Sequence, residues 1–119
     1  MKVKNLPDDN NSKSLEELTQ EVNRTIEQLE QEIIDIISIP VCSDDSNCKF
    51  IGFGAKPCGG YWEYLVYSIA NVDSTILINK VIQYNELNDS LNIQYGISSD
   101  CELLFPPNVH CDNGICVGN

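Results

Sequence analysis

Apolar residues in the first third of the chain recur at steps of three and four: Leu15, Leu18, Val22, Ile26, Leu29, Ile33 and then Ile36 or Ile37. This is the period of one helical stripe, with Glu16, Glu17, Glu21, Glu27, Glu30, Glu32 and Asp35 on the remaining surface. Ser14-x-x-Glu17 makes a capping box ahead of the stripe and Pro40 stops it, so a helix is expected over 14–39. Packing on a sheet is the plainer use of such a stripe. A seam for a partner or a second copy is the alternative, limited by the three heptads that fit. Residues 1–13 are polar and aperiodic, and read as a flexible lead-in to a single domain over 14–119.

The period then changes. Residues 48–68, CKFIGFGAKPCGGYWEYLVYS, hold two cysteines, four glycines and six of the nine aromatic residues in 21 positions. Lys49 to Phe53 alternates polar and apolar as a strand does, and Glu63 to Ser68 is aromatic and β-rich. Gly54, Pro57, Gly59 and Gly60 between them predict a defined turn, with Cys58 tied down in a disulfide. A second helix is expected from Asp73 as N-cap to Gly96 as C-cap. Along it Leu77, Val81, Tyr84, Leu87, Leu91 and Tyr95 repeat at helical steps, Ile78 and Ile82 widen the face, and the Asn-rich remainder reads as solvent-exposed. Residues 98–107, SSDCELLFPP, form a connector anchored by Cys101. Near the end, Asn113-Gly114 is the preferred pair for a two-residue type I′ loop, which sets Cys111 opposite Cys116 in a hairpin. Those two sulfurs leave one face of the ribbon, and either bridge each other or reach other cysteines.

The pattern therefore predicts an α+β domain: a small antiparallel sheet from the segments at Cys48, at Glu63 and at the C-terminus, covered by two amphipathic helices. The first helix occupies 14–39, and the disulfide-rich sheet and second helix occupy 41–119.

Charge and cysteine content narrow the function. Seven basic against 18 acidic residues give a net charge of −11, which repels nucleic acid and anionic membranes and suits a basic protein partner, or simply keeps the protein soluble. Six cysteines in 119 residues point to disulfides and an oxidising compartment. Their spacings of 5, 9, 42, 9 and 4 intervening residues, beside one histidine, do not match a zinc site, and neither metal nor cofactor is expected. Asp44, Asp45 and Asn47 lack the loop length, central glycine and final glutamate of an EF-hand, so a solvated turn is expected there. No apolar run reaches 18 residues, and the opening of the chain is polar. Export would then imply that a leader has been removed and Met1 supplied for expression.

Catalytic equipment is not apparent. No G-x-S-x-G, H-E-x-x-H or P-loop pattern occurs, His110 sits alone beside a cysteine, and thiols held in disulfides are no longer nucleophiles. Gly52-x-Gly54 lacks the strand-to-helix context of a nucleotide fingerprint. The turn is the stronger candidate, as a binding surface of Gly59, Gly60, Tyr61, Trp62, Glu63 and Tyr64, since Tyr and Trp dominate binding hot spots. Of the two readings of Trp62, a plug in the core is favoured over an exposed anchor, and Tyr61 is expected to be the more accessible ring.

The order Cys-x5-Cys, FGAKPCGG, YLVYS, VDSTILINKVIQYNEL, SSDC, Pro106-Pro107 and C-x4-C resembles a group of small exported lipoproteins of Bacteroidetes and other Gram-negative bacteria, a group without an assigned activity. The resemblance spans residues 41–117 and leaves out the first helix; Tyr61 stands where the group carries proline. It implies a periplasmic or outer-membrane-anchored location. Some of the group lack the equivalents of Cys48 and Cys116 together, which implies that these two pair, leaving Cys42 with Cys111 and Cys58 with Cys101. The expectation for function is a non-catalytic acidic envelope protein: an immunity protein or inhibitor of a basic toxin or hydrolase. The runner-up is an accessory lipoprotein forming a homodimer through its first helix.

Overall fold

The computed structural model describes residues 14–119; the lead-in expected over 1–13 lies outside them, as does the side chain of Leu15. The elements are α1 (Leu15–Ile37), β1 (Cys48–Ala55), β2 (Tyr61–Ser68), α2 (Ser74–Tyr95), β3 (Val109–Asp112) and β4 (Ile115–Gly118), with a short 3-10 turn at Asp45–Asn47.

The capping box forms as the sequence predicts: the Glu17 N–H donates to Ser14 Oγ at 3.1 Å, and the Ser14 N–H to the Glu17 carboxylate at 3.0 Å. α1 ends at Ile37, earlier than Pro40 requires, because Ser38 turns the chain at φ 52° and donates back to the Ile34 carbonyl. Its apolar stripe divides in two. Leu29, Ile33 and Ile37 are buried, whereas Leu18 is 47% exposed.

β1 and β2 form an antiparallel hairpin in the register Cys48 with Ser68 through Ala55 with Tyr61. One of its faces contributes Phe53 and Tyr67, backed by Ile51 and Leu65, to a core shared with Ile33 and Ile37 of α1 and Leu77 and Val81 of α2. Tyr84 stacks on Phe53 with ring centroids 4.2 Å apart. Burying apolar side chains of this size stabilises the fold by about 1.5–3 kcal/mol each.

The C-terminal segment does not join this sheet, contrary to the single sheet expected from the sequence; β3 and β4 make a second two-stranded sheet. The expected Asn113-Gly114 loop is present, with φ of 54° and 82°, and sets Cys111 opposite Cys116. Two facts keep the hairpins apart. The outer edge of β4 is already occupied by residues 40–42: Cys116 N–H donates to the Pro40 carbonyl, and Cys42 N–H to the Gly114 carbonyl, each at 2.8 Å. The edge of β1 at Gly52–Ala55 is occupied by α2.

That second contact reverses part of an expectation, since three of the four asparagines of α2 do not face solvent, Asn79 being the exposed one. Asn85, Asn88 and Asn92 follow at steps of three and four, which aligns them on one side of the helix. Asn85 accepts from the Gly54 N–H at 2.7 Å and donates to the Gly52 carbonyl at 3.3 Å. Asn88 accepts from the Ala55 N–H, and Asn92 donates to the Ala55 carbonyl, each at 2.7 Å. Consecutive amides of a regular strand point opposite ways; here Gly54, at φ 80°, bends the backbone so that two in a row meet α2. The helix thus supplies the hydrogen bonds a third strand would have made. Aligned on this side, the amides displace part of the apolar surface elsewhere, and Ile76, Ile78, Ile82 and Ile93 stand exposed.

Asn92 is buried, and its removal takes a side-chain hydrogen bond from the Ala55 carbonyl. Asn92→Ala is therefore expected to lower the unfolding free energy by about 1–3 kcal/mol in a denaturant titration. A change below about 0.5 kcal/mol, the size of an ordinary surface substitution, would show that the asparagines do not hold β1.

Candidate binding site

The turn between β1 and β2 needs its glycines. Gly59 and Gly60 adopt φ of 101° and 84°, which L side chains rarely reach. The Lys56 N–H donates to the Gly60 carbonyl at 3.0 Å and the Gly59 N–H to the Lys56 carbonyl at 2.9 Å, closing the loop. Cys58 pairs with Cys101 and ties the turn to the connector after α2. In the chain-entropy picture, closing an interval of 43 residues contributes about 4 kcal/mol.

Beyond the glycines, both candidate rings reach solvent: Tyr61 is 41% and Trp62 44% exposed. Trp62 therefore does not plug the core, where Phe53 and Tyr67 fill the space beneath the helices. Each ring rests on a glycine of β1. A Cβ on Gly52 would lie 2.3 Å from the Tyr61 ring, and one on Gly54 3.0 Å from Trp62 Cδ1. The Gly52-x-Gly54 pair, uninformative as a nucleotide fingerprint, is the seat of the two aromatic rings. Tyr61 meets Tyr64 edge-on at 5.9 Å, and Tyr64 meets Phe50 at 5.5 Å, so three rings run in a row along the hairpin. Glu63 is exposed and faces α2: burial first, then the charges of Glu30 and Glu63, push the Tyr84 hydroxyl above its usual range.

Three features of this site went unrecognised in the sequence. Phe50 extends the aromatic row and is itself exposed. Lys56, whose side chain is only 10% exposed, lies 5.5 Å from the centre of the Trp62 ring and reaches across to Asp100 at 3.0 Å and the Glu102 carbonyl at 3.1 Å. Contact of an ammonium with an indole face is favourable. The connector then passes beside Tyr64, whose hydroxyl donates to the Leu104 carbonyl at 3.3 Å, and it exposes Leu103, Leu104 and, at 82%, Phe105. An apolar triplet before Pro106-Pro107 was the available signal.

The remaining cysteines pair as Cys42 with Cys111 and Cys48 with Cys116, so each sulfur of the C-terminal ribbon reaches a separate segment instead of its neighbour. With Cys58–Cys101, these are the same three pairs the resemblance implies. The sulfurs of Cys42, Cys48 and Cys116 lie within 4.8 Å of one another, but each is committed to a disulfide. Asp45 accepts from the Cys111 N–H at 2.8 Å, and Asn47 Oδ1 accepts from the Ser43 N–H at 2.9 Å and from the Asp44 N–H at 3.2 Å. The oxygens considered as calcium ligands thus organise a turn under β3. His110 lies partly buried within β3. No helix among the described residues is long and apolar enough to cross a membrane. Three disulfides suit an oxidising, exported compartment.

Comparison with family models, curated proteins and solved structures finds no match to this chain.

The Lys56 ammonium, bonded to Asp100, holds that carboxyl below its usual range, helped by the Glu102 N–H. A depressed carboxyl contributes its stability above its unfolded value and loses it as pH falls through the folded one. On acidification, Trp62 fluorescence should therefore change with a midpoint below the ordinary aspartate range, and Asp100→Asn should abolish that transition. A transition unaltered in the variant would disprove the link. Gly52→Ala is expected to drive the Tyr61 ring off its seat and erase the nuclear Overhauser contact between Tyr61 and Tyr64. Unfolding free energy should fall by no more than about 1 kcal/mol, because an exposed ring can swing aside.

Proposed function

We propose that this protein is a non-catalytic binding protein of the bacterial envelope, an immunity protein or inhibitor that neutralises a basic toxin or hydrolase. The observation that carries this reading is the row of exposed aromatic rings at the turn, Tyr61 and Trp62 with Phe50 and Tyr64 behind them, on a hairpin end fixed by a disulfide and by Lys56. Rings held in place before binding lose little conformational freedom on docking, so most of their contact energy reaches the complex. The net charge of −11 supports a basic partner: it would steer encounter and raise the association rate at low salt. Glycines seating the rings serve presentation; a ring that merely filled the core would need no open seat.

The disulfides agree with an envelope location. Whether the protein is free in the periplasm or anchored to the outer membrane follows only from the resemblance to exported lipoproteins, and the anchored form is part of the proposal. The test is capture from envelope extracts with the immobilised chain. A basic protein should be retained at low salt and less well at high salt, and Tyr61→Ala with Trp62→Ala should release it with a loss of at least tenfold in affinity. Recovery of no partner at low and at physiological salt would overturn the reading, as would a partner indifferent to both substitutions.

A further inference from the structure

We infer a second binding surface on this molecule: the seam between α1 and α2 is a docking groove for a basic amphipathic helix of a partner protein. The helices run antiparallel, with Thr19 meeting Gln94 at one end and Glu32 meeting Lys80 at the other. Along the seam Leu18, Val22, Thr25 and Leu29 succeed one another at steps of four, three and four, one side of α1. They line two hollows in sequence. One, of about 390 Å³, lies between Leu18, Val22 and Gln94; the other, of about 420 Å³, lies between Thr25, Leu29 and Leu87. From Leu18 to Leu29 the groove covers about 16 Å of helix axis. This is three turns, enough to receive the i, i+4 and i+7 anchors of a docked helix.

The apolar stripe of α1 continues past the point where the core ends, leaving Leu18 47% exposed. An occupant must therefore bring an apolar face. It must also bring positive charge. α1 carries seven acidic residues against Arg24 alone, and α2 carries Glu86, which lines the groove, and Asp89 against Lys80. That lysine is already bonded to Glu32. A second copy of this chain would lay an acidic helix against acidic helices and be repelled, whereas a helix flanked by Lys or Arg is complementary. The inference is independent of the aromatic turn, because Leu87 and Gln94 lie on the side of α2 turned away from Asn85, Asn88 and Asn92.

The probe is a fluorescently labelled 18-residue peptide of leucine and lysine, with the leucines on one helical face, titrated by anisotropy at physiological salt. Saturable one-to-one binding is expected, with chemical-shift changes on wild-type protein at Leu18, Val22 and Leu87. Leu18→Gln, at an exposed position that leaves the core intact, and Leu87→Gln should each weaken binding at least tenfold, while Tyr61→Ala and Trp62→Ala leave it unchanged. Three results would overturn the inference. Equal binding of a peptide with its leucines scrambled off one face would mean only that the surface is acidic. Shifts that map to the aromatic turn would place the contact elsewhere. A concentration-dependent dimer in sedimentation, lost in Leu18→Gln, would make a second copy the occupant.

Discussion

A hairpin of two strands has two open edges and little stability of its own, and each unpaired edge amide must find a partner. β1 meets this constraint through α2. Asn85, Asn88 and Asn92 give the strand the hydrogen bonds of an absent neighbour, and they fix the helix along the strand while Leu77 and Val81 fix it onto the hairpin face. The arrangement depends on Gly54, whose left-handed backbone turns two successive amides toward the helix. The turn at Gly59 and Gly60 lies just beyond the end of the asparagine row, and α1 packs on the same helix through Ile33 and Ile37.

The aromatic site inherits its order from the same residues. Gly54 both turns its amide to Asn85 and leaves room for Trp62, so the residue that attaches the strand to the helix also seats the ring. Lys56, two positions on, joins the indole to Asp100 and so to the connector. Presentation of the rings and stability of the hairpin are thus served by a few adjacent backbone positions, while the net charge of −11 gives the molecule as a whole a field of one sign.

Local signals were the legible part of the sequence. Ser14 with Glu17, Asp73, Gly96 and Asn113-Gly114 act over three or four residues through backbone hydrogen bonds and left-handed conformations, and the elements they bound lie close to where the pattern puts them. Long-range relations were not legible. An asparagine on a helix reads as polar and therefore outward, and only the approach of a strand edge, more than thirty residues earlier in the chain, makes it an inward residue. Trp62 reads as core because indole is large and apolar; its exposure follows from strand alternation, which sets it on the face opposite Leu65 and Tyr67. Gly52 and Gly54 were visible as a motif, but their purpose depends on strand register, which composition does not carry. Lys56 and Asp100, 44 positions apart, meet only because Cys58 and Cys101 bring their segments together.

All three disulfides join the stretch from Cys42 to Cys58 with the stretch from Cys101 to Cys116. A protease nick anywhere between Ser68 and Asp100 would leave both fragments covalently joined, separable only after reduction. α1 lies outside every one of these rings. A single cut between Ser38 and Val41 would leave it held by packing and hydrogen bonds alone. In an oxidising compartment a single cut within 43–110 would therefore release no fragment, whereas a single cut after α1 would let that helix leave.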